Sequence, residues 1–308
     1  MIQILQGDAV AKLKELDDGY INTCVTSPPY WGLRDYGQED QLGLEETAEE
    51  FIDNMVAVFS EVKRCLRDDG TLWLNMGDSY AMSYTRGGNK EFKGDIGSHK
   101  HWGKEGSIKL GKRNLPFNLK QKNLIGMPWR LALALQADGW YLRQDIIWHK
   151  PNPMPESVKD RCTKAHEYIF LLSKKPKYYY DHEAIKEDAK YPQGPNASQG
   201  YKKGVGMYGM DTRGGLSNVG ALAKKNKRSV WTVTTKPFKG AHFATFPQDL
   251  IEPCILAGCP EDGLVLDPFA GSGTTGLVAN NHKRNAVLIE LNPDYIKIIK
   301  ERCGVEYP

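Results

Sequence analysis

The sequence lacks paired cysteines, long apolar runs and a large net charge, and each absence excludes a class of protein. Its six cysteines, among 308 residues, form no C-x-x-C pair, so neither a disulfide framework nor a zinc site is predicted. No apolar run approaches the roughly 20 residues that a membrane-spanning helix needs. Met1 leads into a short predicted strand rather than a secretory leader. We therefore expect a cytoplasmic, globular protein with no metal site and no membrane partner.

The net charge of +3 conceals two basic segments. Residues 81–122 contain ten Lys and Arg against three Asp and Glu, and residues 183–229 contain nine against four. Both segments are rich in glycine and lack hydrophobic periodicity, which predicts loops. Solvated loops are often basic without a function, but binding to a polyanion explains the charge equally simply. The candidate DNA-binding cations are Lys224, Lys225, Lys227 and Arg228, and the interleaved aromatic residues that suit base contacts are Tyr84, Trp102, Tyr201 and Tyr208.

A glycine-rich loop near the C-terminus follows a short apolar strand at 264–266 and reads Asp267-Pro268-Phe269-Ala270-Gly271-Ser272-Gly273-Thr274-Thr275-Gly276. Gly271, Gly273 and Gly276 have the G-x-G-x-x-G spacing of nucleotide-binding loops. Glu290 lies 19 positions after Gly271 and ends the next apolar strand, where it can accept hydrogen bonds from ribose hydroxyls. By itself this pattern leaves nicotinamide cofactors, flavins and S-adenosylmethionine open, as well as a purely structural turn.

The position of this loop in the chain is informative. Only 18 residues follow Glu290, too few for the further strands that a dinucleotide-binding half-domain needs after its acidic residue. The rest of the sheet must therefore come from earlier in the chain.

A second loop, Ser27-Pro28-Pro29-Tyr30-Trp31, follows a predicted strand at 21–26. Two successive prolines stiffen the turn and remove two N–H donors, so carbonyl groups are exposed as acceptors for an exocyclic amino group. The Ser27 hydroxyl adds a further acceptor, and the ring of Tyr30 offers a face on which a base can stack. A proline-stiffened structural loop with two core aromatics is the alternative reading.

Together the two loops resemble those of the amino-directed DNA methyltransferases, whose (D/N/S)-P-P-(Y/F/W) tetrapeptide acts on N4 of cytosine or N6 of adenine. The order, tetrapeptide first and glycine loop last, resembles the permuted beta group of that family. Three further segments are similar to the family's conserved segments, and the resemblance covers most of the chain. These segments are 70–78, the pair 148–153 with 166–168, and 241–247.

The resemblance implies an α/β, doubly wound, Rossmann-like methyltransferase sheet with an antiparallel edge hairpin and basic loop insertions. In such sheets ligands bind beyond the carboxyl ends of the strands, so the strand at Leu266 is expected beside the strand at Val25. The implied organisation is a catalytic half at 1–80, a basic insertion at 81–122, a continued core at 123–182, a target-recognition region at 183–229 and a cofactor-binding part at 230–308.

The resemblance also assigns roles to residues around a bound S-adenosylmethionine. Glu290 is expected at the ribose, the 271–275 turn at the methionine part, and Phe246 and Pro247 between adenine and methionine. Asp267 would orient the loop or the donor's ammonium group. Asp8 resembles the acidic residue that meets the donor adenine, although an Asp before a helix is as readily an N-cap.

For the acceptor, the resemblance implies a nucleotide flipped out of double-stranded DNA. Ser27 and the Pro28 carbonyl would accept from its amino group, with Pro29 stiffening the turn and Tyr30 stacking on the base. Trp31, Lys150 and Asn152 are candidate DNA contacts. Beside them, His166 is expected to be a structural hydrogen-bonding residue. A cognate restriction endonuclease and a second copy of the chain stay open as further partners.

The most detailed expectation concerns which base is methylated. Serine in place of aspartate in the tetrapeptide favours N4 of cytosine, and N6 of adenine remains the alternative. A methyltransferase acting on RNA or protein glutamine normally carries N-P-P-Y after its glycine loop, so the serine and the permuted order both count against it. The intact Ser27, Tyr30 and Glu290 count against a catalytically silent DNA-binding module.

Overall fold

The structure, a computed structural model, describes residues 1–32, 41–81, 117, 119–189, 224–235 and 246–305. The chain divides into two compact units, Met1–Tyr180 with Ser229–Pro308, and Asp181–Arg228. Several sequence expectations fall outside the described residues: most of the 81–122 insertion, most of the 183–229 region, and all four interleaved aromatics, Tyr84, Trp102, Tyr201 and Tyr208.

The first unit is built on one eight-stranded sheet, in the order β1-β10-β9-β2-β3-β5-β4-β8. Its strands are β1 (Ile2–Gln6), β2 (Ile21–Thr26), β3 (Leu66–Met76), β4 (Tyr141–His149), β5 (His166–Ser173), β8 (Val230–Thr232), β9 (Leu264–Asp267) and β10 (Asn285–Glu290). Neighbouring strands are parallel except that β5 runs antiparallel to both β3 and β4. The predicted α/β sheet with an antiparallel hairpin, β4 and β5, is confirmed. The hairpin does not form the edge of the sheet, because β8 pairs with the other side of β4.

The described residues contain six helices, of which the first five connect strands and the last follows β10: α1 (Ala9–Lys14), α2 (Ala48–Cys65), α3 (Met127–Ala137), α4 (Gln248–Gly258), α5 (Thr274–Asn281) and α6 (Pro293–Cys303). They form two rows of neighbours, α1 to α3 and α4 to α6. Among the described segments, none of the helices combines the length and apolar character that crossing a membrane requires.

Helix α2 shows how local sequence sets one element. The apolar spacing predicts a helix from Thr47 to Leu66, with Thr47 and Glu50 as a capping box and Gly70 closing the helix. The Thr47 hydroxyl accepts from the Glu50 N–H at 3.1 Å, and the observed bounds agree to within one residue. Gly70 does not close the helix, because Leu66 already pairs with Ile21 of β2. Strand pairing takes over the backbone there, so Gly70 lies inside β3.

Side chains of β3 alternate between two cores. Leu72 and Leu74 belong to the apolar cluster that includes buried residues of α1, α2 and α3. Trp73, between them, points the other way, toward α4: a Cβ on Gly258 would lie only 2.7 Å from the Trp73 Nε1. Both faces of the sheet are therefore covered, as its doubly wound class requires.

Strands β2 and β9 are direct neighbours, with Cys24 paired to Leu266. This confirms the expectation that the strands at Val25 and Leu266 lie side by side. Since paired parallel strands end at the same edge of a sheet, the loops that begin at Ser27 and Pro268 leave the sheet together.

Candidate active site at the carboxyl edge of the sheet

A buried carboxylate joins the two loops. Asp267, 1% exposed, accepts from the Thr26 hydroxyl at 2.6 Å, from the Thr275 hydroxyl at 2.6 Å and from the Phe269 N–H at 3.1 Å. Burial raises the pKa of Asp267 to about 6, and these hydrogen bonds act in the opposite direction. Because its partners lie in the donor loop and at the end of β2, directly before the second loop, Asp267 fits the loop-orienting role better than a contact with the donor's ammonium group.

The backbone geometry of the donor loop, residues 268–276, itself requires its glycines. Gly271 and Gly273 adopt left-handed φ values of 53° and 77°. A Cβ on Gly276 would lie 2.5 Å from the Leu288 side chain, so α5 packs closely on β10 only with glycine there. The spacing that suggests nucleotide binding therefore also serves the tight turn and the helix–strand packing.

Glu290 lies at the end of β10, and its carboxylate holds the donor loop. Its Oε2 accepts from the Gly271 N–H at 2.7 Å, and its Oε1 accepts from the Asn292 N–H at 2.8 Å. Burial raises the pKa of Glu290 to about 7. A carboxylate offers about four lone-pair positions, and backbone N–H groups occupy only part of them. Acceptor capacity therefore remains for the hydroxyls of a ribose, and the site fits the donor.

The remaining donor-site candidates lie on neighbouring elements. Asp8 is the N-cap of α1, where its Oδ1 accepts from the Ala11 N–H at 2.8 Å, as the capping alternative predicts. Pro247 is buried at the start of α4, and Phe246 before it is half-buried. The rest of the 241–247 segment lies outside the described residues.

Arg302 of α6 also holds the donor loop, and sequence reasoning missed it. Its Nη1 donates to the Ser272 carbonyl at 2.6 Å and lies 3.3 Å from the Thr274 hydroxyl. In the sequence Arg302 is one cation in the last turn of an amphipathic helix, so no local signal marks it.

In the acceptor loop, residues 27–31, the Tyr30 hydroxyl donates to Glu167 Oε2 at 3.1 Å. Glu167 Oε1 pairs with the Lys150 ammonium. Burial, and after it the charge of the Glu167 carboxylate, raise the pKa of the Tyr30 phenol. Pro28 is buried and Ser27 is half-buried, so the loop is anchored while its serine stays accessible.

The predicted DNA contacts have protein partners in the structure. The Trp31 indole N–H donates to the Glu45 carbonyl at 3.0 Å. The Asn152 side chain exchanges two hydrogen bonds with the backbone of Thr235, at 3.0 and 3.2 Å. Lys150 lies 4.2 Å above the ring of Trp148. These three side chains therefore help to shape the loops, and a DNA contact for each of them stays a prediction.

Two further polar residues are structural. Asp78, within the 70–78 segment, accepts from the N–H groups of Gly126 and Met127 at 3.0 and 3.1 Å, so it anchors the start of α3. His166 lies 3.4 Å from the Tyr168 hydroxyl, and burial lowers the pKa of its imidazole. The expectation of a hydrogen-bonding role for His166 agrees with this contact.

The second unit holds the basic cluster Lys224, Lys225, Lys227 and Arg228. In this unit β6 (Glu187–Asp188) pairs antiparallel with β7 (Lys224–Lys225). Glu187 accepts from Arg228 at 2.5 Å and lies 3.3 Å from the Lys225 ammonium. Acidic residues of β6 thus offset part of the cluster's charge.

Comparison with known proteins identifies the family. A sequence model described as DNA methylase, of the N6/N4 methyltransferase group, matches residues 21–301. The chain belongs to this DNA methylase family. The methylase is 47% identical over 303 residues to the Type II methyltransferase M.Cfr9I of Citrobacter freundii, which covers 98% of this chain and 88% of that relative.

Solved structures show the same fold. The methylase superposes on the PvuII DNA methyltransferase (cytosine-N4-specific) with a TM-score of 0.64 and 19% identity, covering 98% of this chain and 86% of that one. With M1.HpyAVI, in its complex with S-adenosylmethionine, the TM-score is 0.55 and the identity 17%, over 98% and 100% of the two chains. The methylase is a DNA methyltransferase that uses S-adenosylmethionine and modifies an exocyclic amino group.

Proposed function

We propose that the methylase transfers a methyl group from S-adenosylmethionine to N4 of a cytosine that is flipped out of double-stranded DNA. The observation that carries this proposal is the hydrogen bond from Thr26 to Asp267, at 2.6 Å, because it joins the end of β2, where the tetrapeptide loop begins, to the end of β9, where the donor loop begins. The two loops are 240 positions apart in the sequence and adjacent in the sheet.

The acceptor chemistry follows from the electronic structure of the amine. An exocyclic amino group is a poor nucleophile because its lone pair is delocalised into the base. The Pro28 carbonyl and the Ser27 hydroxyl accept hydrogen bonds from the two N–H groups of this amine. The nitrogen then becomes pyramidal, and its lone pair turns toward the methyl group of the donor. The Tyr30 ring supports the base by stacking, and no nucleophilic cysteine is needed. The duplex must release the base first, since the amino group is paired inside it.

The residues of the donor site bind S-adenosylmethionine and orient it. Glu290 accepts from the ribose hydroxyls, and the 271–275 turn borders the methionine part, with Phe246 and Pro247 nearby. Asp267 holds Pro268, Phe269 and the following glycines beside the acceptor loop. When bound, S-adenosylmethionine supplies the electrophilic methyl of its sulfonium group.

The serine of the Ser27-Pro28-Pro29-Tyr30 tetrapeptide favours cytosine over adenine, and N6-adenine methylation is the second candidate. The partners we propose are double-stranded DNA and a cognate restriction endonuclease, since the relative M.Cfr9I is a Type II methyltransferase. A homodimer is a further candidate assembly.

One assay decides the base and the polymer. The methylase is incubated with labelled S-adenosylmethionine and with duplex DNA, RNA or protein, and the digested product is identified by mass spectrometry. N4-methylcytosine from duplex DNA is the expected product. N6-methyladenine would establish the alternative base, and label in RNA or protein alone would contradict the proposal.

A further inference from the structure

The connection between β4 and β5, residues 150–165, carries a large apolar side chain that the fold leaves in solvent. Met154 is 51% exposed, although burial of a methionine side chain is favourable. Single apolar residues are common on protein surfaces. The exposure of Met154 is therefore informative only through how firmly the loop holds it and what lies beside it.

The segment around Met154 is stiff by composition and reads Pro151-Asn152-Pro153-Met154-Pro155. Each proline fixes its own φ and removes an N–H donor. Asn152 and Met154 both precede a proline, so they are restricted to extended conformations. The segment is thus a rigid support with a methionine on it.

The two sides of this segment are anchored to different parts of the first unit. Before Met154, the Asn152 side chain exchanges two hydrogen bonds with the backbone of Thr235, at 3.0 and 3.2 Å. After it, the Glu156 carboxylate accepts from the Arg161 guanidinium at 2.5 Å. Met154 is therefore held in a defined place.

Both ends of the connection reach the acceptor site. At its start, the Lys150 ammonium pairs with Glu167, whose other carboxylate oxygen accepts from the Tyr30 hydroxyl at 3.1 Å. At its end, the Lys164 ammonium donates to the carbonyl of Asp78, two residues beyond β3, at 2.8 Å. The loop that carries Met154 is thus fixed to the same groups that support the acceptor loop.

The spacing of the two loops suits a duplex with one base flipped out. The acceptor loop follows β2 and this connection follows β4, and both leave the carboxyl edge of the sheet. Strands β3 and β5 lie between them, so at about 4.8 Å per strand the two loops start about 14 Å apart. A base in the acceptor pocket has rotated by about 180° out of the helix, so the gap that it leaves lies beside the pocket.

Methionine suits such a gap. Its side chain is unbranched and apolar and fills irregular spaces, and proteins that distort DNA insert methionine and other apolar side chains between bases. An apolar side chain in the gap contacts the bases on either side and offsets part of the cost of unpairing and unstacking the target.

We propose that Met154 is the wedge that occupies the space left in the duplex by the flipped target base. The inference rests on the proposed flipping of that base out of double-stranded DNA. It assigns the chemistry to the acceptor loop, and to the connection between β4 and β5 the task of keeping the base outside the helix.

The substitution Met154→Ala tests this, because it shortens the side chain and leaves the anchoring hydrogen bonds of the loop in place. On a duplex that the wild type methylates, we expect the single-turnover rate to fall at least about tenfold, or 1.4 kcal/mol. Met154→Leu keeps an apolar side chain of similar volume, so its rate should stay within about threefold of wild type. S-adenosylmethionine affinity by calorimetry and the melting temperature should not change in either variant.

The decisive measurement repeats the assay on the same duplex with the target base mispaired. A mispaired base costs less to extrude, so the Met154→Ala rate should then lie within about threefold of wild type. A side chain that acted on the donor or on the chemical step would slow methylation of both duplexes equally. The control is Leu133→Ala, which shortens an apolar side chain of nearly equal exposure, 52%, on α3 and should match wild type on both duplexes.

Two results would overturn the inference: a Met154→Ala rate within twofold of wild type on the paired duplex, or an equal loss on the paired and the mispaired duplex. The wild type separates this from the proposed function. A wild type that methylates no duplex DNA would remove the proposed function and the inference with it. Duplex methylation by the wild type beside a fast Met154→Ala would remove the inference alone.

Discussion

At the scale of single residues, three carboxylates organise this site: Asp267, which is buried, and Glu290 and Glu167, which are half-buried. Asp267 connects the two loops, Glu290 holds the donor loop, and Glu167 holds the acceptor loop. Sequence patterns identified the first two because each ends an apolar strand at a recognised spacing. Glu167 lies in the 166–168 segment, which resembles a segment of the family. The sequence indicates no role for it, because its partner Tyr30 is 137 positions away.

The first prediction concerns Asp267. Replacement by alanine removes the acceptor of the buried Thr26 hydroxyl and leaves the Thr275 hydroxyl only the Val25 carbonyl at 3.3 Å, at a cost of about 2 kcal/mol in the free energy of unfolding. Asp267→Asn keeps an acceptor oxygen, and its amide can donate to hydroxyls that rotate, so it should cost less than half as much. Urea unfolding of the two variants checks this ordering. Equal destabilisation by both would show that packing, not hydrogen bonding, sets the cost.

The second prediction is a pH dependence of donor binding. The pKa of Glu290 in the free protein is raised to about 7, chiefly by burial and further by the nearby Asp267 charge. Ribose hydroxyls bind the ionised carboxylate more strongly. S-adenosylmethionine affinity should therefore rise as pH increases from 6 to 8, by up to about tenfold. Calorimetric titrations across this range test the trend.

Glu290→Gln is the control for this titration. The donor's own amino group titrates near 8, and the variant reports that contribution alone. It should also bind at least about tenfold more weakly at pH 8. Equal pH slopes in the two proteins would contradict the assignment of Glu290 to the donor. In the folded free protein the raised pKa has the opposite sign for stability, which declines as pH rises from about 4.5 to 7.

At the scale of elements, most of the predicted strands and helices agree with the observed ones in position and length. The strand predicted at 21–26 agrees with β2. The apolar runs at 141–149 and 167–173 also predict two strands that can pair antiparallel, and these agree with β4 and β5 to within one residue. The errors have tertiary causes. Strand pairing ended α2 before Gly70, and β8 has three residues, too few to carry a periodic pattern.

The third prediction concerns α6 as a support for the donor loop. Arg302→Ala removes the donor to the Ser272 carbonyl, so the helix no longer holds the loop through this side chain. We expect S-adenosylmethionine affinity to fall about tenfold, or 1.4 kcal/mol. The matched control is Lys297→Ala, which breaks an exposed pair with Asp294 on the same helix and should have no effect. Unchanged affinity in Arg302→Ala would show that the loop keeps its form without α6.

At the scale of the whole molecule, we expect DNA binding and methyl transfer to be carried by different parts of the chain. The first unit places polar loops at the carboxyl edge of its sheet, while the small unit Asp181–Arg228 holds the cluster Lys224, Lys225, Lys227 and Arg228. We expect this cluster to contact DNA phosphates, and the chemistry to stay in the first unit.

The fourth prediction tests this separation. Changing all four cations of the cluster to Gln should weaken duplex DNA binding. The slope of log affinity against log salt should become shallower by about 0.9 for each DNA phosphate that the cluster neutralises. The change should correspond to fewer than four phosphates, because Glu187 already pairs with Arg228 and Lys225. S-adenosylmethionine affinity should not change.

The control for the cluster is a second quadruple variant with the same charge change at the amino edge of the first unit's sheet: Arg67, Arg143, Lys175 and Lys177 to Gln. Its DNA affinity and salt slope should stay closer to wild type. Equal effects of the two quadruple variants would mean that net charge alone drives binding. A cluster variant that binds like wild type would direct attention to the basic insertion at 81–122.

The sequence by itself determined the longer strands, the two loops, the glycine turn and the family, because each depends on residues within a few positions of one another. Only the tertiary structure decided which distant groups meet. The pairing of β2 with β9 joins Thr26 to Asp267, and the register of β3 with β5 brings Glu167 to Tyr30. Such contacts depend on strand order and register, which the packing of the whole sheet selects and no local pattern encodes.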